Sequence, residues 1–330
     1  MDSIRKTLAI GGAVALTLAW LTVGGSATAA PIQQAAKPAP IQVPHGEYAG
    51  TEKCLACHED SGAVLKNGPH SRSFRAGGPT SPKGCQACHA ETKANLGCEG
   101  CHGPGKAHVD ADGDKTKIKS LGSIKTQDAS ATCSSCHYKT QHALWAGSQH
   151  DQRNVGCLSC HSVHSPKGDK QLKAVDETAL CASCHRAIVN KQLKFNHMAV
   201  REGKLSCASC HNVHGTANVK LLKVGGTVSE SCVNCHAEKR GPMLWEHAPV
   251  PESCVNCHDP HGSNNDRMLV AKEPFLCQRC HVTSRHPPTV YEGFTLNNST
   301  NADKMFGRSC GGCHQSIHGS NAPSGKAFLR

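Results

Sequence analysis

The sequence predicts a chain of loops and short α-helices with almost no β-sheet and little apolar interior of its own. Three observations predict it. The pattern Cys-x-x-Cys-His occurs eleven times in 330 residues. From Cys133 to Cys277 successive copies begin 22 to 26 residues apart, which marks an array of units each too small to build a core. Aromatic residues make up 4% of the chain and hydrophobic ones 38%, so a conventional interior would go unfilled unless bound groups supply apolar bulk.

The copies are Cys54, Cys57 and His58; Cys85, Cys88 and His89; Cys98, Cys101 and His102; and Cys133, Cys136 and His137. They continue with Cys157, Cys160 and His161; Cys181, Cys184 and His185; Cys207, Cys210 and His211; and Cys232, Cys235 and His236. The last are Cys254, Cys257 and His258; Cys277, Cys280 and His281; and Cys310, Cys313 and His314. Together they use all 22 cysteines, so none is left for a disulfide, a nucleophile or a lipid anchor. This is the attachment signature of c-type haem. Cysteines three apart share one side of a helical turn, so both thiols can add to the two vinyl groups of one porphyrin, and the next residue can ligate the iron. A zinc site also uses Cys-x-x-Cys but does not require His after each pair, and a thioredoxin-like motif occurs once, beside a βαβ pattern. The fold class is therefore a multihaem cytochrome c: loops and short helices wrapped around an extended haem chain, with eleven covalent haems c expected.

Taken in order, residues 1–29 read as a signal peptide. Arg5 and Lys6 precede an apolar stretch from Leu8 to Val23, and Ala27-Thr28-Ala29 supplies a cleavage site. Export fits the cofactor, since thioether attachment takes place outside the cytoplasm. Residues 30–50 form a Pro- and Ala-rich linker, and 51–330 the haem-bearing domain. The 32 glycines and 17 prolines punctuate that domain into short segments. Removing residues 1–29 leaves a formal charge of about +10, and a bis-His haem with two propionates contributes about −1 when oxidised, so the cofactors invert the simple charge logic. The lysines read as propionate partners. No nucleic-acid module accompanies the basic balance.

Of 23 histidines, eleven sit in the motifs and twelve do not. Ten of the twelve are candidate sixth ligands: His70, His108, His150, His164, His197, His214, His247, His261, His286 and His318. His164, His214 and His261 each lie three residues beyond a motif histidine and His318 four beyond. So close to its own ring, such a histidine is placed to ligate a neighbouring haem. His45 and His142 compete for the eleventh place, which sequence leaves open. Four methionines in the mature chain cannot serve eleven irons. Two imidazoles per iron lower the potential relative to His/Met and leave no position for substrate.

The strings CEGCHGPGKAHV at 98–109, AGSQHDQRNVGCLSCHSVH at 146–164, HMAVREGKLSCASCHNVHG at 197–215 and CHAEKRGPMLWEHAPVPESCVNCHDPHG at 235–262 resemble the DmsE/MtrA family of periplasmic multihaem cytochromes. So do PFLCQRCH at 274–281 and the last 24 residues, and the resemblance spans 51–330. It implies an electron-transfer conduit between periplasm and cell exterior. Its implied partners are an outer-membrane β-barrel porin of the MtrB type, an extracellular multihaem cytochrome or reductase, and a periplasmic or inner-membrane donor. The family is usually decahaem, and the crowded segment 85–102 holds the extra copy, with Cys85–His89 the expected addition. A soluble periplasmic donor is the alternative. A nitrogen or sulfur-oxyanion reductase is the remote one, because such enzymes keep an open iron and every motif here ends in His.

Overall fold

In a computed structural model, residues 46–75, 96–197, 200, 202–281, 309–323 and 325–329 are described. The expected signal peptide, most of the linker, the motif at 85–89, His45 and His286 lie outside them. The described residues all belong to one compact unit, Lys37–Arg330. Among them are twelve short α-helices and no strand, only five isolated β-bridges. The longest helices, Glu59–Asn67 and Thr126–Ser134, have nine residues. Isolated helices so short are unstable in water, so something other than their own ladders holds them.

An apolar core does not. The buried hydrophobic residues described are Leu65, Leu96, Ala129, Leu221 and Leu222, and no large side chain is fully buried. Leu193, Leu244 and Val175 are more than 70% exposed. A chain of this length normally buries a far larger share of its apolar surface, which leaves the stabilising surface to come from bound groups.

What the polypeptide does supply is a repeated turn. At 157–173, 207–223 and 254–270 a motif turn is followed by a bridge joining His161 to Leu172, His211 to Leu222 and His258 to Leu269. The chain reverses through consecutive non-glycine residues with positive φ: Lys170 and Gln171, Lys220 and Leu221, Arg267 and Met268. Left-handed non-glycine residues each cost on the order of 1 kcal/mol or more, so a turn repeated three times at that cost has a structural use. Backbone bonds close it identically: Ser162, Asn212 and Asp259 N–H groups donate at 2.8 Å to the carbonyls of Gln171, Leu221 and Met268.

Candidate metal centres

Each Cys-x-x-Cys-His forms a single turn. In all ten described copies the motif histidine's backbone N–H donates to the first cysteine's carbonyl at 2.8–3.1 Å. That closure puts the two thiols on one side and projects the imidazole past the turn.

Carbonyls then fix the rings. The Nδ1 of His161, His211 and His258 donates to the carbonyls of Lys170, Lys220 and Arg267 at 3.0, 2.8 and 2.9 Å. These are the first left-handed residues of the reversals, so the backbone strain aims an acceptor at the ring. His102 and His314 donate likewise to Lys119 and Ala327 at 2.9 and 2.6 Å. Non-motif histidines follow the same rule: His108 donates to Asp114, His150 to Val213 and His197 to Pro260, at 2.9, 3.1 and 3.1 Å. A carbonyl oxygen only accepts, so Nδ1 carries the proton and Nε2 keeps its lone pair. This is the outer-shell arrangement of a metal-ligating imidazole. Burial, acting first, also lowers the pKa of His70, His164, His247, His261 and His318, and takes His214 down to about 4. Neutral rings are the form that binds metal.

Nine of the ten described motif histidines face a second imidazole with ring centroids 6.0–6.5 Å apart. The pairs are His58 with His108, His102 with His164, His137 with His70, and His161 with His214. The others are His185 with His150, His211 with His261, His236 with His197, His258 with His318, and His281 with His247. Two imidazoles bonded to one metal from opposite sides, at about 2 Å each, put their centroids roughly 6 Å apart. The donor set therefore fits an iron porphyrin between each pair. The pairing has two senses. His58, His102, His161, His211 and His258 face a histidine further along the chain, whereas His137, His185, His236 and His281 face one behind.

The thiols form a row in sequence order. Among the described motifs, successive first cysteines touch: Cys54 with Cys98, Cys133 with Cys157, Cys181 with Cys207, Cys232 with Cys254 and Cys277 with Cys310. The shared hydrogen bond, with burial behind it, raises the pKa of Cys54, Cys133 and Cys181, whereas burial acts first at Cys232 and Cys277. Between these pairs the second cysteines take over. Cys101 lies within electrostatic reach of Cys136, Cys160 of Cys184, Cys210 of Cys235 and Cys257 of Cys280.

Side chains clamp each first-cysteine pair. Buried Glu99, 3% exposed, accepts from the N–H groups of Ala49, Gly50 and Gly105 at 2.8, 3.0 and 2.8 Å. Ser130 Oγ accepts from Cys157 N–H at 3.3 Å, Ser229 Oγ from Cys254 N–H at 3.2 Å, and Glu177 from Ala208 N–H at 2.5 Å. Glu273 accepts from Gly311 N–H at 3.0 Å and from the Ser309 hydroxyl. The sequence reading missed these five. Their signal is a Ser or Glu three or four residues before the first cysteine, or one after it for Glu99, too common a residue in too loose a place to single out. Glu177, Cys181 and Cys207 also converge closely enough to suggest a metal cluster, but both cysteines belong to attachment motifs.

His142 stands apart. Its ring is 5.7 Å from His137 and 4.3 Å from His214, and both of those face another histidine at ligand spacing.

The doubled CXXCH motif family (Paired_CXXCH_1) matches residues 150–190, 197–241 and 247–286. Each match spans two attachment motifs and the histidines between them. The chain is also 39% identical to "Multiheme cytochrome MtrA" of Shewanella baltica (strain OS185) over 294 residues, covering 86% of this chain and 83% of that protein.

Proposed function

The chain belongs to the MtrA family of multihaem c-type cytochromes, electron-transfer proteins with covalently bound haem c, and from that premise we propose that it is a conduit carrying electrons between the periplasm and the cell exterior. The observation that carries this reading is the alternation of thiol contacts. First cysteine meets first cysteine, then second lies near second, from Cys54 to Cys310 without a break among the described motifs. Haems tethered at those thiols are held as near neighbours. The haem supplies reversible one-electron chemistry, and the chain's residues set spacing and ligation.

Both axial positions are taken by imidazole in this reading. His70, His108, His150, His164, His197, His214, His247, His261 and His318 serve the motif histidines they face, and His286 serves His314. His142 has no place among these pairs, which leaves His45 for the haem of Cys85, Cys88 and His89 and brings the count to eleven. With no open iron the protein is a carrier and not a reductase. No helix among the described residues is long and apolar enough to cross a membrane. A conduit then needs a channel from elsewhere, and the family membership favours an outer-membrane β-barrel porin of the MtrB type. An extracellular multihaem cytochrome or reductase and a periplasmic donor would complete the path, with export directed by residues 1–29.

The test is purification of the holoprotein from outer membranes, followed by reconstitution into liposomes enclosing a redox dye. Co-purification with a β-barrel and reduction of the dye by an external donor are expected. Recovery of the haem protein in the soluble periplasm, with no barrel and no transmembrane reduction, would make it a soluble donor instead. A high-spin haem in the resting protein would point to an enzyme.

A further inference from the structure

We propose that the residues clamping the first-cysteine pairs also set the potentials of the haems tethered there, so that potential alternates pair by pair along the row. The inference rests on the conduit reading above and deepens it. In chain order the clamps are Glu99, Ser130, Glu177, Ser229 and Glu273. Carboxylates hold Cys54 with Cys98, Cys181 with Cys207 and Cys277 with Cys310. Hydroxyls hold Cys133 with Cys157 and Cys232 with Cys254. The carboxylates only accept: Glu99 takes three N–H groups, Glu177 one, and Glu273 an N–H and a hydroxyl. Ionised carboxylates bond in that way. A carboxylate oxygen of Glu177 lies within 4.8 Å of the sulfurs of both Cys181 and Cys207. The charge of Glu99 likewise acts on Cys54 and Cys98, and that of Glu273 on Cys277.

The hydroxyl-clamped pairs carry no such net charge. Beside Cys133 and Cys157 stand Lys119 and Asp151, of opposite sign. Exposed Glu230, two residues before Cys232, folds back to accept the Thr227 N–H at 3.1 Å, and Glu252, two before Cys254, is exposed as well. At the second-cysteine contacts a cation recurs at every step: Lys119 by Cys101, Lys173 by Cys160, Lys223 by Cys210 and Arg279 by Cys257. Those charges share one sign and leave the alternation to the clamps. A nearby negative charge disfavours adding an electron, and a buried charge is screened less than an exposed one. A unit charge about 10 Å away, at the effective dielectric of a protein, shifts a one-electron equilibrium roughly tenfold. Electrons then collect on the two hydroxyl-clamped pairs, which the carboxylate-clamped pair of Cys181 with Cys207 keeps apart. That spacing lowers the repulsion between electrons sharing the row.

The experiment is a potentiometric titration of the holoprotein followed by visible absorbance, comparing wild type, Glu177→Gln and Ser229→Asp. Gln keeps an acceptor oxygen for the Ala208 N–H and removes the charge. Two haems' share of the absorbance should then move to higher potential, each one-electron equilibrium shifting about tenfold, or about 59 mV. Asp at 229 still accepts the Cys254 N–H and adds a charge, so two other haems should move by a similar amount to lower potential. Haem count should match wild type in both. Charge predicts shifts of opposite sign, whereas loosened clamps would move both variants the same way. If either variant leaves the curve unmoved, or both move it in one direction, the inference is overturned. Glu273→Gln and Ser130→Asp stand in, under the same criteria, for a variant that fails to accumulate. Failure of the liposome dye to be reduced would sink the conduit reading and leave these shifts measurable, so the two failures are distinguishable.

Discussion

Glu99→Ala tests whether side-chain clamps, in the absence of an apolar core, set the distance between neighbouring haems. The Glu99 carboxylate accepts three backbone N–H groups that tie the first motif's helix to the next. They are not equal. The Gly105 amide is buried, and a buried donor left unpaired costs about 1–3 kcal/mol. The Ala49 and Gly50 bonds are only partly buried, so water can replace the carboxylate there and each loses about the net value of a hydrogen bond, about 0.5–1.5 kcal/mol. The loss is then about 2–6 kcal/mol, localised to residues 46–58 and 98–106. Native-state hydrogen exchange reads local opening directly. At about 1.4 kcal/mol per decade, even the low end predicts roughly thirtyfold faster exchange in those two segments, with little change beyond Cys133. Glu99→Gln, which keeps one acceptor oxygen, should fall between. Exchange in both segments within about threefold of wild type would refute the argument, because even the low end of about 2 kcal/mol corresponds to roughly thirtyfold.

Three further outcomes follow from the same geometry. Replacing Cys85 and Cys88 by Ala should lower the haem count by one in intact-mass measurement and leave dye reduction across the liposome unchanged, because Cys54 already meets Cys98 directly. His164→Met should raise the potential of a single haem, the one held by His102, since thioether ligation favours reduced iron; redox titration would show it. Gly262→Ala should destabilise the holoprotein by at least about 1–3 kcal/mol, the cost of a side chain at φ +110, because the new Cβ also meets the Lys191 and Phe195 carbonyls. Chemical denaturation followed by Soret absorbance would measure that loss.

The lack of strand among the described residues was legible in the sequence, and the attachment motifs and the pool of candidate ligands could be named there because each rests on residue type and spacing. The sequence also implied that His164, His214, His261 and His318 would reach a neighbouring haem. It did not say which one. The structure pairs each with the third motif histidine before it, and in three of those partners the ring is aimed by the reversals at Lys170, Lys220 and Arg267. Those residues have positive φ without being glycine, so no turn signal marked them. His142 was indistinguishable from a ligand by type. Only its crowding against two histidines already facing others sets it apart. The clamps were illegible for the opposite reason, being ordinary residues whose partners lie up to 50 positions away.

The two senses of histidine pairing make the unit of this structure a pair of motifs, and deletion can prove it. In each unit one motif histidine faces forward into the next unit, as His161 does to His214, while the other faces back within its own, as His236 does to His197. Removing a full period, residues 197–246, brings His247 up behind Asn196. His161 then meets His261 in place of His214, and His258, His281 and His185 keep their partners. The alternation of first- and second-cysteine contacts also survives. Removing half a period, residues 207–231, takes away His211 and His214 together. His161 and His261 lose their partners, and Cys181 loses the Cys207 it meets. The full-period variant should therefore carry two fewer haems than the parent, all of them low-spin. The half-period variant should show high-spin iron and slowed electron passage despite losing less of the chain. Equal spectra from the two deletions would mean that single motifs, not pairs, are the building blocks, and the forward-and-back pairing would have to be abandoned.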